Sequence, residues 1–251
     1  MNKSFLCVGL DPDLTKIPDR FLRSSNPVLE FNKYIVDQTF DFCSSYKPNI
    51  AFYEALGHMG LEALKVTISY IKSIDKNKIV ILDTKRGDIG NTASFYAKSI
   101  FEDFNADGTT LSPYMGFDSI EPFLQYKDKY LFILCLTSNS SNKDFQFIKL
   151  NNGKFLYEFV YEKVLEWREK YNYKGLGLVI GATNKEIEGL KVRLKGVPLL
   201  IPGIGTQKGD IELLKGLLSD NVFINVGRDI IYSLSPREKA EFYNNKFNKI
   251  P

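Results

Sequence analysis

The chain has 251 residues, 44% of them hydrophobic and 14% aromatic, with a formal net charge of +3. A chain of this length buries roughly 70–75% of its unfolded surface, and an undivided α/β barrel of about 250 residues is a common outcome. The mild charge, without a long basic run, argues against a nucleic-acid binder. The three dispersed cysteines form no CxxC pair and suit no disulfide framework.

Short apolar runs alternate along the chain with helical patterns. The first run, Phe5–Leu10, ends at Asp11. It is too short for a secretory or membrane-spanning segment, so a soluble, cytoplasmic protein without membrane association is expected. Asn26 reads as an N-cap and Pro27 as the first residue of a helix. A second strand, Tyr46–Phe52, carries Lys47 and Asn49. Leu61, Leu64, Ile68 and Ile71 then make one helical stripe.

A third strand, Lys78–Asp83, runs directly into charge, and a fourth follows at Gly108–Ser112. The fifth, Tyr130–Thr137, leads into an irregular polar segment, Thr137–Lys154, that reads as a mobile loop. Phe155, Phe159, Val160, Val164 and Trp167 form the next stripe. Strands Gly175–Gly181, Val197–Gly203 and Val222–Gly227 complete the series. Thr183–Glu186 and Ser235–Glu238 match the capping-box pattern. Eight strands with helices between them predict a single (β/α)8 TIM barrel spanning residues 1–251. No GxGxxG or GxxxxGK[ST] motif appears, which weighs against dinucleotide and P-loop nucleotide binding.

The only histidine, His58, sits near a predicted helix start with no nucleophile elbow in the chain. Zinc chemistry needs more histidine or cysteine than the chain supplies at useful spacing. Catalysis is therefore expected to run on lysine, aspartate, arginine and backbone groups, without a metal.

In a barrel of this kind the site lies at the carboxyl ends of the strands. The stretch ILDTKRGDIGNTA puts Asp83 and Lys85 two residues apart, hence on one face of an extended strand, with Asp88 just beyond. Lys47 from the neighbouring strand makes a Lys/Asp/Lys cluster, in which alternating charges keep one another ionised. A strand-end salt-bridge network is the bland reading, and a reaction centre the functional one. For Lys47, Asp11 and Arg228 taken singly, a snorkelling lysine, an Asp–Pro turn and a surface ion pair are the bland readings. Late in the chain, the glycines of PGIGTQKGD and the arginine of VGRD suit a phosphate, held by backbone N–H groups and a bidentate guanidinium.

The motif LDTKRGDIGNTA, with its D-x-K-x-x-D-I core, resembles the signature of the orotidine 5'-phosphate decarboxylase family. VGLDPD, KPNIAFYEALG, SPYMGFDSIEPF, LTSNSS, VIGAT, IPGIGTQKGD and NVGRDI fall in that family's order. The forms KRGDIG and YMGFDSIEPF are similar to a longer-chain bacterial and apicomplexan subgroup, although Ser112 stands where that subgroup has Asn. The resemblance implies a cofactor-independent conversion of orotidine 5'-monophosphate to UMP and CO2. It makes Lys85 the proton donor to C6, sets Asp83 near the departing carboxylate, and sets Lys47 near Asp83 and the ribose. It implies a homodimer with shared active sites, to which the partner subunit supplies Asp88 and Thr92. It gives Asp11 and Asn49 to the ribose or neighbouring groups, Ser138 and Pro202 to the pyrimidine, and Gln207, Gly227 and Arg228 to the phosphate. Two other readings are a Mg²⁺-dependent sugar-phosphate decarboxylase or synthase of the same superfamily and a non-catalytic phosphate-ligand binder. The sugar-phosphate branch carries an acidic metal ligand where this chain has Lys47.

Overall fold

Parallel strands close on themselves in sequence order, β1 pairing with β2 and so on to β8, which pairs back to β1. The computed structural model describes residues 4–205 and 209–250. The strands are β1 (Leu6–Leu10), β2 (Ser45–Pro48), β3 (Ile79–Arg86), β4 (Gly108–Leu111), β5 (Tyr130–Leu136), β6 (Leu176–Ile180), β7 (Leu199–Ile201) and β8 (Val222–Val226). The helices are α1 (Asp19–Leu22), α2 (Pro27–Thr39), α3 (Ala51–Glu54), α4 (Gly57–Ile74), α5 (Gly90–Lys98), α6 (Leu156–Lys170), α7 (Ile187–Leu194), α8 (Arg228–Ile231) and α9 (Pro236–Asn248). This is the expected (β/α)8 barrel. The connections β4–β5 and β7–β8 use short 3-10 turns, at Phe117–Ser119, Glu121–Gln125 and Ile211–Leu214, in place of full helices. No helix among the described residues is long and apolar enough to cross a membrane.

Alternation of side chains divides the apolar residues into two cores. Leu6, Val8, Leu82, Leu131, Leu178 and Ile224 join the layer between strands and helices. Cys7, Ile81, Phe132, Val179, Leu200 and Phe223 form a separate cluster within the barrel. Phe132 stacks on Tyr130, ring centroids 5.9 Å apart, and meets Phe223 edge-on at 5.7 Å. The barrel interior is thus packed, and the polar residues of the site stand one step further along the same inward faces. Two close approaches need glycine. A Cβ on Gly9 would lie 2.9 Å from the Gly227 Cα, and one on Gly181 would lie 2.7 Å from the Ser138 backbone nitrogen.

Several local expectations need correction. β2 ends at Pro48 rather than Phe52, because the Asn49 side chain accepts the Ala51 N–H at 3.2 Å and starts α3. β3 continues past Asp83 to Arg86 through a register shift against β4. Neither predicted capping box forms. Thr183 Oγ1 donates to the Ser138 carbonyl, and the Ser235 N–H is taken by Ser233 Oγ at 3.2 Å, so Glu238 has no such donor to meet. Asn26 does cap α2, accepting from Leu29 N at 3.1 Å. The buried face of α6 is Tyr157, Tyr161 and Val164, with Phe159 turned outward. The segment Thr137–Lys154 has local structure of its own. It contains a 3-10 turn at Ser140–Asp144, and Gln146 exchanges bonds with Thr137 N–H at 2.8 Å and Thr137 Oγ1 at 2.7 Å. His58 is an exposed residue of α4.

Candidate active site

The carboxyl end of β3 is where the barrel's inward face changes from apolar to charged. Ile81 belongs to the inner cluster, and Asp83, two residues on, is buried at 7% exposure. Lys47 reaches it from β2, itself only 4% exposed, with its ammonium 2.9 Å from Asp83 Oδ2. Lys85 takes the other oxygen, 2.7 Å from Asp83 Oδ1, with its side chain half exposed. One carboxylate is therefore gripped by two ammonium groups, one sealed in the barrel and one at its mouth.

Burial opposes the charge of both sealed groups, and their mutual attraction wins. Burial pulls the Lys47 ammonium down, but the carboxylates of Asp83 and Asp11 outweigh it and hold its pKa above the ordinary lysine value. Burial pushes the Asp83 carboxyl up, but Lys47, Lys85 and the Thr110 hydroxyl together hold it well below the usual carboxylate range. Removing one member of such a buried pair leaves an uncompensated charge and costs about 3–5 kcal/mol. Asp11 differs. Burial pushes its carboxyl above the ordinary value and nearby Asp83 adds to this, while Lys47 and the Asn49 backbone N–H only partly offset them.

The path of β3 is strained at this point. Lys85 has φ +48°, in the left-handed region, which costs a residue with a Cβ roughly 1–2 kcal/mol. The register shift between β3 and β4 falls across the same residues. Spacing on a flat strand therefore foresaw the Asp83–Lys85 pairing but not the backbone that achieves it. Thr110, on β4, also meets this bulge, and sequence reasoning missed it because a threonine on a strand reads as an ordinary β-former. Asn225 was missed as well. It lies on β8 between inward-facing Phe223 and Gly227, and that alternation was the available signal. Asp11 Oδ1 and Asn225 Oδ1 are both buried with no hydrogen-bond partner among the described residues. Their positions suit donors from a bound ligand.

Other expected site residues stand around this mouth without joining the cluster. Asn49 bridges to Asp83 through the backbone, and its side chain serves α3. Ser138 is half-buried beside Gly181. Pro202 is half-buried, and its carbonyl accepts the Ala182 N–H at 2.9 Å. Gly227 precedes α8, whose first residue, Arg228, is exposed. Gln207 lies outside the described residues. Asp88 and Thr92 are exposed, and Asp88 accepts its neighbour Ile89 N–H at 2.8 Å. No hydrogen bond or ion pair joins Asp88 to Lys47, Asp83 or Lys85 among the described residues. Among the described residues the charged cluster is Lys47, Asp83 and Lys85. Ser112 follows β4, and a Cβ on Gly87 would lie 2.9 Å from the Ser112 Cβ. That close approach requires glycine at 87, since every side chain other than glycine's at 112 begins with the same Cβ.

Comparison with known proteins places the chain in a family. The family model described as orotidine 5'-phosphate decarboxylase / HUMPS matches residues 4–243. An orotidine 5'-phosphate decarboxylase of Herpetosiphon aurantiacus is 45% identical over 242 residues, covering 96% of this chain and 88% of that protein. The solved OMP decarboxylase of Leishmania donovani superposes with a TM-score of 0.85 at 35% identity, covering 99% of this chain and 94% of that one. The UMP synthase of the same organism superposes at 0.87 with 35% identity, covering 99% of this chain but only 54% of that one. With the fold and nearly the whole length matched, the chain belongs to the orotidine 5'-phosphate decarboxylase / HUMPS family.

Proposed function

We propose that the protein decarboxylates orotidine 5'-monophosphate to UMP and CO2, the last step of UMP formation, with no metal or organic cofactor. The observation that carries this reading is the Lys47–Asp83–Lys85 array at the mouth of the barrel. As the bond from C6 to its carboxylate breaks, the electron pair stays on C6 and CO2 departs. The Lys85 ammonium, held beside that carbon, stabilises the developing negative charge and then transfers a proton to it. The resulting neutral amine regains a proton from solvent. Asp83 stands beside the substrate carboxylate, and Lys47 holds Asp83 ionised and oriented. The orphaned Asp11 oxygen suits a ribose hydroxyl, with Asn49 beside it. Ser138 and Pro202 would line the pyrimidine, and Gln207, Gly227 and Arg228 the phosphate.

The exposed Asp88 and Thr92 fit a shared centre, in which each subunit of a homodimer lends them to its neighbour. We read the chain as one undivided barrel domain, residues 1–251, working in the cytoplasm without nucleic acid or membrane.

The sugar-phosphate branch of the family places an acid at the end of the second strand to hold Mg²⁺. Here that position is Lys47, a cation 2.9 Å from Asp83, which disfavours that reading. The test is incubation of the purified chain with orotidine 5'-monophosphate, with UMP and CO2 expected in equal amounts. A chain that binds UMP tightly yet leaves orotidine 5'-monophosphate intact would be a non-catalytic binder instead.

A further inference from the structure

We infer that Thr110 is a positioning residue for the decarboxylation, its single hydroxyl coupling the strained backbone of Lys85 to the carboxylate of Asp83. The inference rests on the decarboxylase reading of this site. Thr110 stands on β4 with 1% exposure, directly against the β3 bulge. Its Oγ1 accepts from the Thr84 N–H at 3.1 Å and from the Lys85 N–H at 2.9 Å. Its own distance to Asp83 Oδ1 is 2.7 Å.

A hydroxyl has one proton and two lone pairs. The two backbone N–H groups occupy both lone pairs, so the proton is left to donate to Asp83. The direction of every bond follows without seeing a hydrogen. The register shift takes both N–H groups off the ladder to the β4 backbone, and buried donors without partners are strongly disfavoured. Thr110 supplies the acceptor they need, and so stabilises the left-handed turn at Lys85. The same oxygen fixes the Asp83 carboxylate in rotation, since Oδ1 receives Thr110 and Lys85 while Oδ2 receives Lys47. One side chain thus sets both where the Lys85 ammonium starts from and which way its counter-charge faces. The neighbouring Thr84 and Thr109 hydroxyls, 2.8 Å apart, bond backbone carbonyls and not the cluster.

The experiment compares Thr110→Val, which keeps the shape and removes the hydroxyl, with Thr110→Ser, which keeps the hydroxyl. Thr110→Ala serves where valine does not fold. Valine or alanine is expected to lower kcat by about 10²-fold, the scale seen when one preorganised donor is lost, with KM changed far less. Serine is expected to recover most of that loss. Hydrogen exchange at the Lys85 amide provides a reading independent of turnover. In the valine or alanine variant it should accelerate at least tenfold relative to amides elsewhere in β3 and β4. The inference is overturned if kcat stays near wild type, if serine fails to rescue, or if exchange at Lys85 is unmoved. A wild-type protein without activity but with the expected exchange pattern would refute the decarboxylase reading, and with it a role for Thr110 in that reaction, and leave only its hold on the Lys85 backbone standing.

Discussion

The barrel has two inner storeys built on the same strands, and they obey opposite rules. The lower holds Cys7, Ile81, Phe132, Val179, Leu200 and Phe223, all apolar or nearly so and fully enclosed. The upper holds Asp11, Lys47, Asp83, Lys85 and Asn225, carrying buried charge, two orphaned acceptors and a left-handed lysine. A single residue of strand, Leu82, separates Ile81 from Asp83. The lower storey favours folding, because it removes apolar surface from water at about 25 cal/mol per Å². The upper storey favours it less, because its charges leave water before they attract one another, Asp11 is disfavoured as an anion, and one residue is strained. Local strain and buried charge concentrated at a catalytic mouth are what a fixed reaction environment requires. The lower storey is also complete within one chain, whereas the upper leaves Asp88 outside its cluster.

The contrast can be broken from either side. Lys85→Ala removes the proposed proton donor from a half-exposed position. It should cut kcat by roughly 10⁴-fold or more, given what general acids and electrostatic stabilisers each contribute, with Tm nearly unchanged. Phe132→Ala in the lower storey should do the reverse. A loss of about 3–5 kcal/mol in denaturant unfolding is expected, with kcat per folded molecule retained.

Mixing tests whether Asp88 of one chain serves the upper storey of another. Asp88→Ala and Lys85→Ala proteins, each inactive, should together recover roughly one quarter of wild-type activity after subunit exchange. Half of reassorted dimers are mixed, and each mixed dimer carries one intact centre of two. No recovery, with exchange verified by differential tagging, would confine the site to one chain.

The smallest effect concerns pH. Asp11 has a raised carboxyl pKa, so its contribution to stability is fully present below the unfolded value of about 3.9 and lost as pH rises through the folded value. Asp83 runs the other way. Its lowered pKa contributes stability above about 3.9, lost as pH falls through the folded value. Asp11→Asn should therefore raise Tm at pH 7 by a few degrees, at about 2–4 °C per kcal/mol for a chain of this size. The gain should shrink toward pH 4 while turnover falls. A Tm lowered equally at both pH values would refute the assignment.

Much of this was legible in the amino-acid order. Eight short apolar runs gave eight strands, because strands of a barrel are buried on both faces and cannot hide as amphipathic patterns. Their ends were less legible. β2 stops at Pro48 because a side-chain bond at Asn49 begins α3, and β3 outruns its apolar run through a bulge. Capping patterns at Thr183 and Ser235 failed because a distant partner, Ser138, and a local one, Ser233, engaged the same groups. Lys47, Asp83 and Lys85 could be found from charge placed where charge is costly. Thr110 could not, since its role depends on a register shift between two strands, a property of the pairing and not of either segment.

The central claim is that this upper storey decarboxylates with lysine and aspartate alone. The most direct measurement is the rate of UMP formation from orotidine 5'-monophosphate by the full chain after exhaustive treatment with a chelator. The account predicts the same rate before treatment, after it, and after adding Mg²⁺. Activity abolished by chelation and restored by Mg²⁺ would contradict it.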